Sequence, residues 1–124
     1  MSRSEFERGA IAVEMAILLP VLIVLLLGIM EFGRALNTQA TLSHAARESV
    51  RVVAVTKDVS KAQAAAKSAA PTLSPALIVV SVTPTGPCTA PDTRTVTISY
   101  QLSTLTGIAG PFAMKAQGVM LCGG

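Results

Sequence analysis

The chain has 124 residues, a net charge of +3 and 51% hydrophobic residues, enough for one small domain at most. The charge is mild, and no block of like charges or basic–aromatic interleaving indicates a nucleic-acid surface, so we expect no nucleic-acid partner. Beyond residue 30 the chain is rich in Ala, Thr, Ser and Val. Because a core of small side chains buries little area per residue, we expect a domain of marginal stability.

The first element is an apolar segment at residues 10–30, which follows a polar leader at residues 1–9. Its 21 residues would form a helix of roughly 30 Å, the thickness of a hydrocarbon core. A signal peptide is the alternative, but its apolar region usually has about 7–15 residues and ends at a small-residue cleavage site. The sequence therefore predicts a transmembrane helix, which Pro20 should kink or locally loosen.

The orientation of this segment is not decided by charge, because Arg residues flank it on both sides. The leader is short enough to stay in the cytoplasm, so we expect the larger part, residues 31–124, to be exported.

Glu14 is the one ionisable residue within residues 10–30. It lies only about 6 Å beyond Ala10 along a helix, so its carboxylate could reach the headgroups at modest cost. The alternative is a functional role, since an intramembrane carboxylate is costly unless a partner compensates it. The segment contains no Lys or Arg, so that partner would be on another chain or would be a newly created N-terminal amine.

Residues 31–55 continue the helical pattern, with apolar residues recurring at threes and fours. This stripe has two interpretations: it packs on the C-terminal domain, or it packs on neighbouring subunits. Its members are Phe32, Leu36, Ala40, Leu42 or Ala46, Val50 and Val53. A second, Ala-rich helix is predicted at residues 58–70, with Asp58 as its N-cap and Pro71 just past its end.

The C-terminal part is predicted to form three strands, at residues 76–83, 94–102 and 113–121, because β-branched and alternating residues dominate there. The Pro- and Gly-rich stretch "PTGPCTAPDT" separates the first two strands. Three antiparallel strands on the exported helix would make a small α+β domain.

The two cysteines, Cys88 and Cys122, allow one disulfide if the domain is exported to an oxidising compartment. Two unlinked thiols are the alternative. We expect no metal site, because two Cys and the distant His44 supply too few ligands.

No catalytic motif was found. His44 and Glu48 are four residues apart on a predicted helix, but nothing near them supplies a nucleophile or a pocket. We therefore expect neither enzymatic activity nor a cofactor.

The stretch "RGAIAVEMAILLP", followed by "GIMEFGRAL" and "HAARES", spans residues 8–51. It resembles the TadE-like proteins of the tight-adherence (Flp) type IV pilus system, and a Gly-terminated leader with Glu five residues later resembles the class III leader of type IV pilins. Major Flp pilins have Tyr after this Glu, where this chain has Met15, so the resemblance favours a minor pilin-like protein.

The resemblance implies that a prepilin peptidase cuts after Gly9 on the cytoplasmic face and frees the amine of Ala10. It also implies that the partners are other pilin-like subunits, the pilus assembly machinery and the lipid of a bacterial inner membrane. Glu14 could then neutralise the Ala10 amine of a neighbouring subunit and set the axial register between helices. Phe32 and Leu36 would contribute to contacts between subunits.

Two other functions stay open at this point. The chain could be an unprocessed single-pass membrane scaffold that recruits envelope machinery. It could also be an anchored adhesin-type binding module, with ligand contacts in residues 84–94 or 103–112.

Overall fold

A computed structural model describes residues 3–108 and 110–123 of the chain. It confirms the predicted α+β class, with a long N-terminal helix, a short second helix and an antiparallel sheet. The elements are α1 (Arg3–Thr56), α2 (Val59–Ala69), a 3₁₀ turn (Pro75–Leu77), β1 (Val79–Thr83), β2 (Thr93–Leu102) and β3 (Phe112–Leu121).

The chain divides into two compact units, Met1–Arg34 and Ala35–Gly124, and α1 contributes to both. In the first unit none of the described residues is buried. The helix continues through Pro20, which has no backbone N–H to donate to the preceding turn. This part of α1 is long and apolar enough to cross a membrane, so it is a candidate span.

In the second unit, α1 buries one face of mostly small side chains. The buried residues are Thr38, Leu42, Ala45, Ala46, Ser49, Val50, Val53 and Ala54. The prediction that the apolar stripe packs as a whole on the C-terminal domain is wrong at Phe32, Leu36 and Ala40, which are exposed. Ala40 lies about 160° around the axis from Leu42, on the side of the helix opposite the buried face. Phe32 and Leu36 precede Thr38, the first buried residue of α1.

Helix α2 begins where the sequence indicated. The Asp58 carboxylate accepts hydrogen bonds from the backbone N–H groups of Ser60 at 2.9 Å and Lys61 at 3.4 Å, as an N-cap does. Its small buried side chains pack into the same core as α1, and the Ser49 hydroxyl donates to the Ala62 carbonyl at 2.8 Å. This buried bond links α1 to α2.

The sheet has the order β1-β2-β3, with both pairs antiparallel. The central strand β2 alternates between half-exposed and buried residues, and its buried members include Val96, Ile98 and Tyr100. The first strand begins at Val79 and not at residue 76. Pro75 starts a 3₁₀ turn in which the backbone N–H of Leu77 donates to the carbonyl of Ser74 at 3.1 Å.

Helix α1 and strand β3 approach closely at Gly118. A Cβ atom at this position would lie 2.6 Å from the carbonyl oxygen of Ala46 and 3.0 Å from a methyl group of Val50. A side chain at this position would force α1 and β3 apart, because its Cβ atom would overlap the helix backbone. The small residues of the core thus allow the helix backbone to lie directly on the sheet.

Three contacts show that α1 and β3 run in the same direction. The Gln39 side chain donates to the Lys115 carbonyl at 2.9 Å, Ala46 contacts Gly118, and the Gly123 N–H donates to the Ala54 carbonyl at 3.1 Å. The residue numbers rise together along both elements. The start of β3 therefore lies at the end of this unit where α1 enters it.

Candidate functional site

The predicted peptidase site lies on the first turns of α1. Gly9, Ala10 and Glu14 are all helical and exposed. Ala10 and Glu14 are four residues apart, so they lie on the same side of the helix and are separated by about 6 Å along its axis. A Cβ atom at Gly9 would meet nothing within 4 Å, so this glycine is not required by packing within the chain.

Glu14 is followed by a helical segment whose large apolar side chains are exposed. Leu22 is 57% and Val24 70% exposed, values that a water-soluble helix would not show over a whole segment. Lipid or neighbouring apolar helices can cover such a surface. The geometry therefore puts one carboxylate near the start of a candidate membrane span.

The two predicted subunit-contact residues beyond the apolar segment are also exposed. Phe32 is 67% and Leu36 57% exposed. Neither side chain belongs to the core of the second unit. Both are available for intermolecular contact, and their role in such a contact stays a prediction.

Cys88 and Cys122 form a disulfide, as one of the two sequence interpretations predicted. Their Cα atoms are 5.4 Å apart, and the bridge joins positions separated by 34 residues. The backbone N–H of Cys122 also donates to the carbonyl of Asp92 at 2.8 Å. The bridge fixes the loop between β1 and β2 to the end of β3.

Arg94 is a buried charged residue that the sequence analysis did not single out. It is only 3% exposed, and its guanidinium donates to the carbonyls of Pro84 at 2.6 Å and Gly86 at 2.9 Å, and to that of Pro87. These bonds hold the loop between β1 and β2 against the start of β2. Arg94 has the same parity as the buried residues of its strand, and that alternation could have identified it as inward-facing.

Glu48, which the sequence places four residues after His44, has an ion-pair partner on α1. Glu48 forms an ion pair with Arg51 at 3.6 Å, on the exposed surface, where such pairs contribute little to stability. Within residues 3–108 and 110–123, no group of three or more His, Cys, Asp and Glu residues is arranged to hold a metal ion.

Comparison with known protein families gives a match that covers residues 9–51, to the model described as TadE-like protein. Residues 9–51, about a third of the chain, are therefore similar to TadE-like proteins, and we call them the TadE-like segment. The matched segment begins at Gly9, contains Glu14, Phe32 and Leu36, and ends at Arg51.

The remainder of the chain, including α2, the sheet and the disulfide, lies outside the TadE-like segment. No curated protein and no solved structure matches the chain significantly. The properties of the C-terminal unit are therefore argued from its own geometry.

Proposed function

We propose that the chain is a minor pilin-like component in the assembly of a tight-adherence pilus. Residues 10–30 anchor it in the bacterial inner membrane, with the leader in the cytoplasm and the C-terminal unit exported. Its role is non-enzymatic, and its partners are a prepilin peptidase, other pilin-like subunits and the assembly machinery. The observation that carries this proposal is the TadE-like segment, which begins at Gly9 and has Glu14 near the start of an exposed apolar helix.

In this proposal a prepilin peptidase cleaves the bond between Gly9 and Ala10. A peptidase needs extended backbone, whereas α1 is helical at this bond. Glycine is about 1 kcal/mol less favourable than Ala within a helix, so Gly9 lowers the cost of local unwinding. Because nothing packs around Gly9, replacing it changes the substrate backbone without disturbing a core.

Cleavage would create an amine at Ala10 one helical turn before Glu14. In a medium of low dielectric constant, an ammonium group and a carboxylate on neighbouring subunits attract each other strongly and relieve the desolvation of both. Such a pair forms only when two helices have one particular axial offset. Glu14 would therefore set the register between neighbouring subunits.

The cleavage step is tested by expressing the full chain with and without a prepilin peptidase and comparing intact masses. We expect the loss of residues 1–9 only when the peptidase is present. The variant Gly9→Val should stay uncleaved, whereas the control Gly28→Val, at a position equally free of contacts, should be cleaved. Retention of the leader with active peptidase would contradict the proposal and would favour the unprocessed membrane scaffold.

The role of Glu14 is tested separately in cells that make the pilus. Glu14→Gln keeps the shape of the side chain but removes the charge. We therefore expect fewer subunits in sheared filaments, relative to the subunits that stay in the membranes. Glu7→Gln in the leader is the matched control, because cleavage removes it. Normal assembly of Glu14→Gln would show that the carboxylate has no role in pairing.

A further inference from the structure

The loop between β2 and β3 and the first residue of β3 expose large apolar side chains. Ile108 is 89%, Leu105 58% and Phe112 40% exposed. Residues 103–112 include no Asp, Glu, Lys or Arg. An uncharged apolar tip on a small domain otherwise rich in Thr and Ser indicates an interaction site.

This loop lies at one defined end of the C-terminal unit. Leu102 pairs with Phe112 at the base of the hairpin, so residues 103–108 and 110–111 lie beyond that pair. The side chain of Gln39 contacts Lys115, and α1 runs parallel to β3. Going backwards from this contact, Phe112 lies about 10 Å along the strand and Ala35 about 6 Å along the helix. The loop therefore reaches at least as far as the point where α1 enters the unit.

The covalent chain connects this end of the unit to the apolar segment over a short distance. Five residues of chain lead from Met30 to Ala35. That connection is about 7 Å long if helical and about 17 Å if fully extended. This upper limit on the distance from Met30 to Ala35 depends on chain length alone, whatever the angle between the two units. If residues 10–30 span a membrane, Ala35 must therefore lie close to the bilayer surface.

We propose that Leu105, Ile108 and Phe112 insert into the interfacial region of the same bilayer that holds the apolar segment. This inference rests on only one part of the proposed function, namely that residues 10–30 span the membrane. Apolar side chains at such a surface enter roughly 5–10 Å into the boundary between headgroups and acyl chains. The exposed Lys115, three residues beyond Phe112, is placed to contact lipid phosphates.

The insertion gives the C-terminal unit a second attachment to the membrane besides α1. Two attachments limit how far the unit can tilt relative to the bilayer plane, so its opposite end is presented outward. That end includes the Cys88–Cys122 bridge and the loop that Arg94 holds. Of the two loops considered for adhesin-type contacts, only residues 84–94 would then face away from the bilayer.

The test uses the absence of tryptophan from the chain, which lets one introduced Trp report on its surroundings. Ile108→Trp places the probe in the loop. Val119→Trp is the matched control, because Val119 is also an exposed apolar residue, at 63%. It lies on β3 about 24 Å from Phe112 along the strand. Full-length variants are reconstituted into phosphatidylcholine–phosphatidylglycerol vesicles, with and without brominated acyl chains.

We expect Ile108→Trp to emit at shorter wavelength than Val119→Trp and to lose most of its emission in brominated vesicles. The control should keep its emission and should be quenched by acrylamide in the water phase. Equal quenching of both probes by brominated lipid would overturn the proposal, since the contact would not be specific to the loop. A water-exposed Ile108→Trp would also overturn it.

The same samples also test two other outcomes, namely that a second copy covers the loop and that the chain is not anchored in the membrane. If Ile108→Trp is blue-shifted only at high protein-to-lipid ratio and brominated lipid does not quench it, a second copy covers the loop and the proposal is wrong. Flotation of the vesicles tests the underlying span. Failure of both variants to float would overturn the membrane anchor itself, whereas flotation with an unquenched loop probe would overturn only the insertion.

Discussion

The two parts of helix α1 differ in what their apolar residues contact. Residues 3–34 bury no side chain within the chain, although they include half of its Leu and Ile residues. Residues 35–56 bury eight side chains, five of which are Ala, Ser or Thr. One continuous helix therefore has large exposed apolar residues in its first part and small buried ones in its second. Large apolar side chains mark the part of α1 that needs lipid or another apolar surface to cover it. Small side chains mark the part of α1 that packs into the core.

The small core has a structural consequence for the C-terminal unit. Ala and Gly supply little buried area, so the unit depends on close backbone approach and on specific links. Those links are the disulfide, the bonds of Arg94 and the hydrogen bond from Ser49 to α2. The stability of this unit should respond strongly to their loss and weakly to changes in the apolar segment.

The largest effect is expected from removal of the disulfide. In the chain-entropy model, a bridge across roughly 35 residues stabilises a fold by about 3–4 kcal/mol. We expect Cys88→Ser with Cys122→Ser to lower the free energy of unfolding by about that amount. The measurement is denaturant unfolding of the full chain in detergent, followed by emission of Tyr100, the single tyrosine and a core residue. A loss below about 1 kcal/mol would show that the bridge is not needed for stability.

The two parts of α1 can be compared directly by one type of substitution. Leu42 is fully buried and Leu22 is 57% exposed. Leu42→Ala should cost about 3 kcal/mol of unfolding free energy, from lost burial and a cavity. Leu22→Ala should leave the unfolding of the C-terminal unit unchanged within about 0.5 kcal/mol. Similar losses for both variants would contradict the distinction between the two parts.

Arg94 should contribute to the stability of the C-terminal unit, although it lies near the end of a strand. Arg94→Met keeps much of the apolar stem but removes the donors to three loop carbonyls, so we expect a loss of about 2 kcal/mol. Residues 84–87 should also become more accessible to proteases. Arg47→Met, an exposed position on α1, is the matched control and should change neither quantity. Equal behaviour of the two variants would mean that Arg94 does not hold the loop.

The smallest of these effects is expected at Gly118. Gly118→Ala adds a Cβ atom that would lie 2.6 Å from the Ala46 carbonyl oxygen, so α1 and β3 must separate slightly. Overpacking of this kind costs about 1–3 kcal/mol, and some relaxation puts the expected loss at about 1–2 kcal/mol. Gly33→Ala, where a Cβ meets nothing within 4 Å, should cost nothing. A stabilised Gly118→Ala would show that the helix does not lie on the strand there.

Much of this architecture follows from local pattern. Apolar periodicity, the Asp58 cap and β-branched runs predicted both helices and all three strands. The predicted boundaries agree within three residues except at the start of α1, which begins at Arg3 and not at residue 10. These signals are local, because caps and strand propensity depend on neighbouring residues. The largest shift of a strand start, at β1, is also local, since Pro75 favours a turn over extended pairing.

The features that the sequence did not predict depend on contacts between distant residues. Nothing near Gly118 indicates that Ala46 lies against it, and the carbonyls that Arg94 binds belong to an irregular loop. The exposure of Leu36 was missed for the same reason. An apolar residue at helical spacing can face a core, a lipid or another subunit, and periodicity alone does not distinguish these surroundings.

The most direct test of the whole account is the N-terminal sequence of the native protein, purified from cells that assemble the pilus. The account predicts a mature chain that begins "AIAVEM", because cleavage after Gly9 creates the amine that Glu14 is proposed to pair with. A native chain that still carries the leader at residues 1–9 would contradict it.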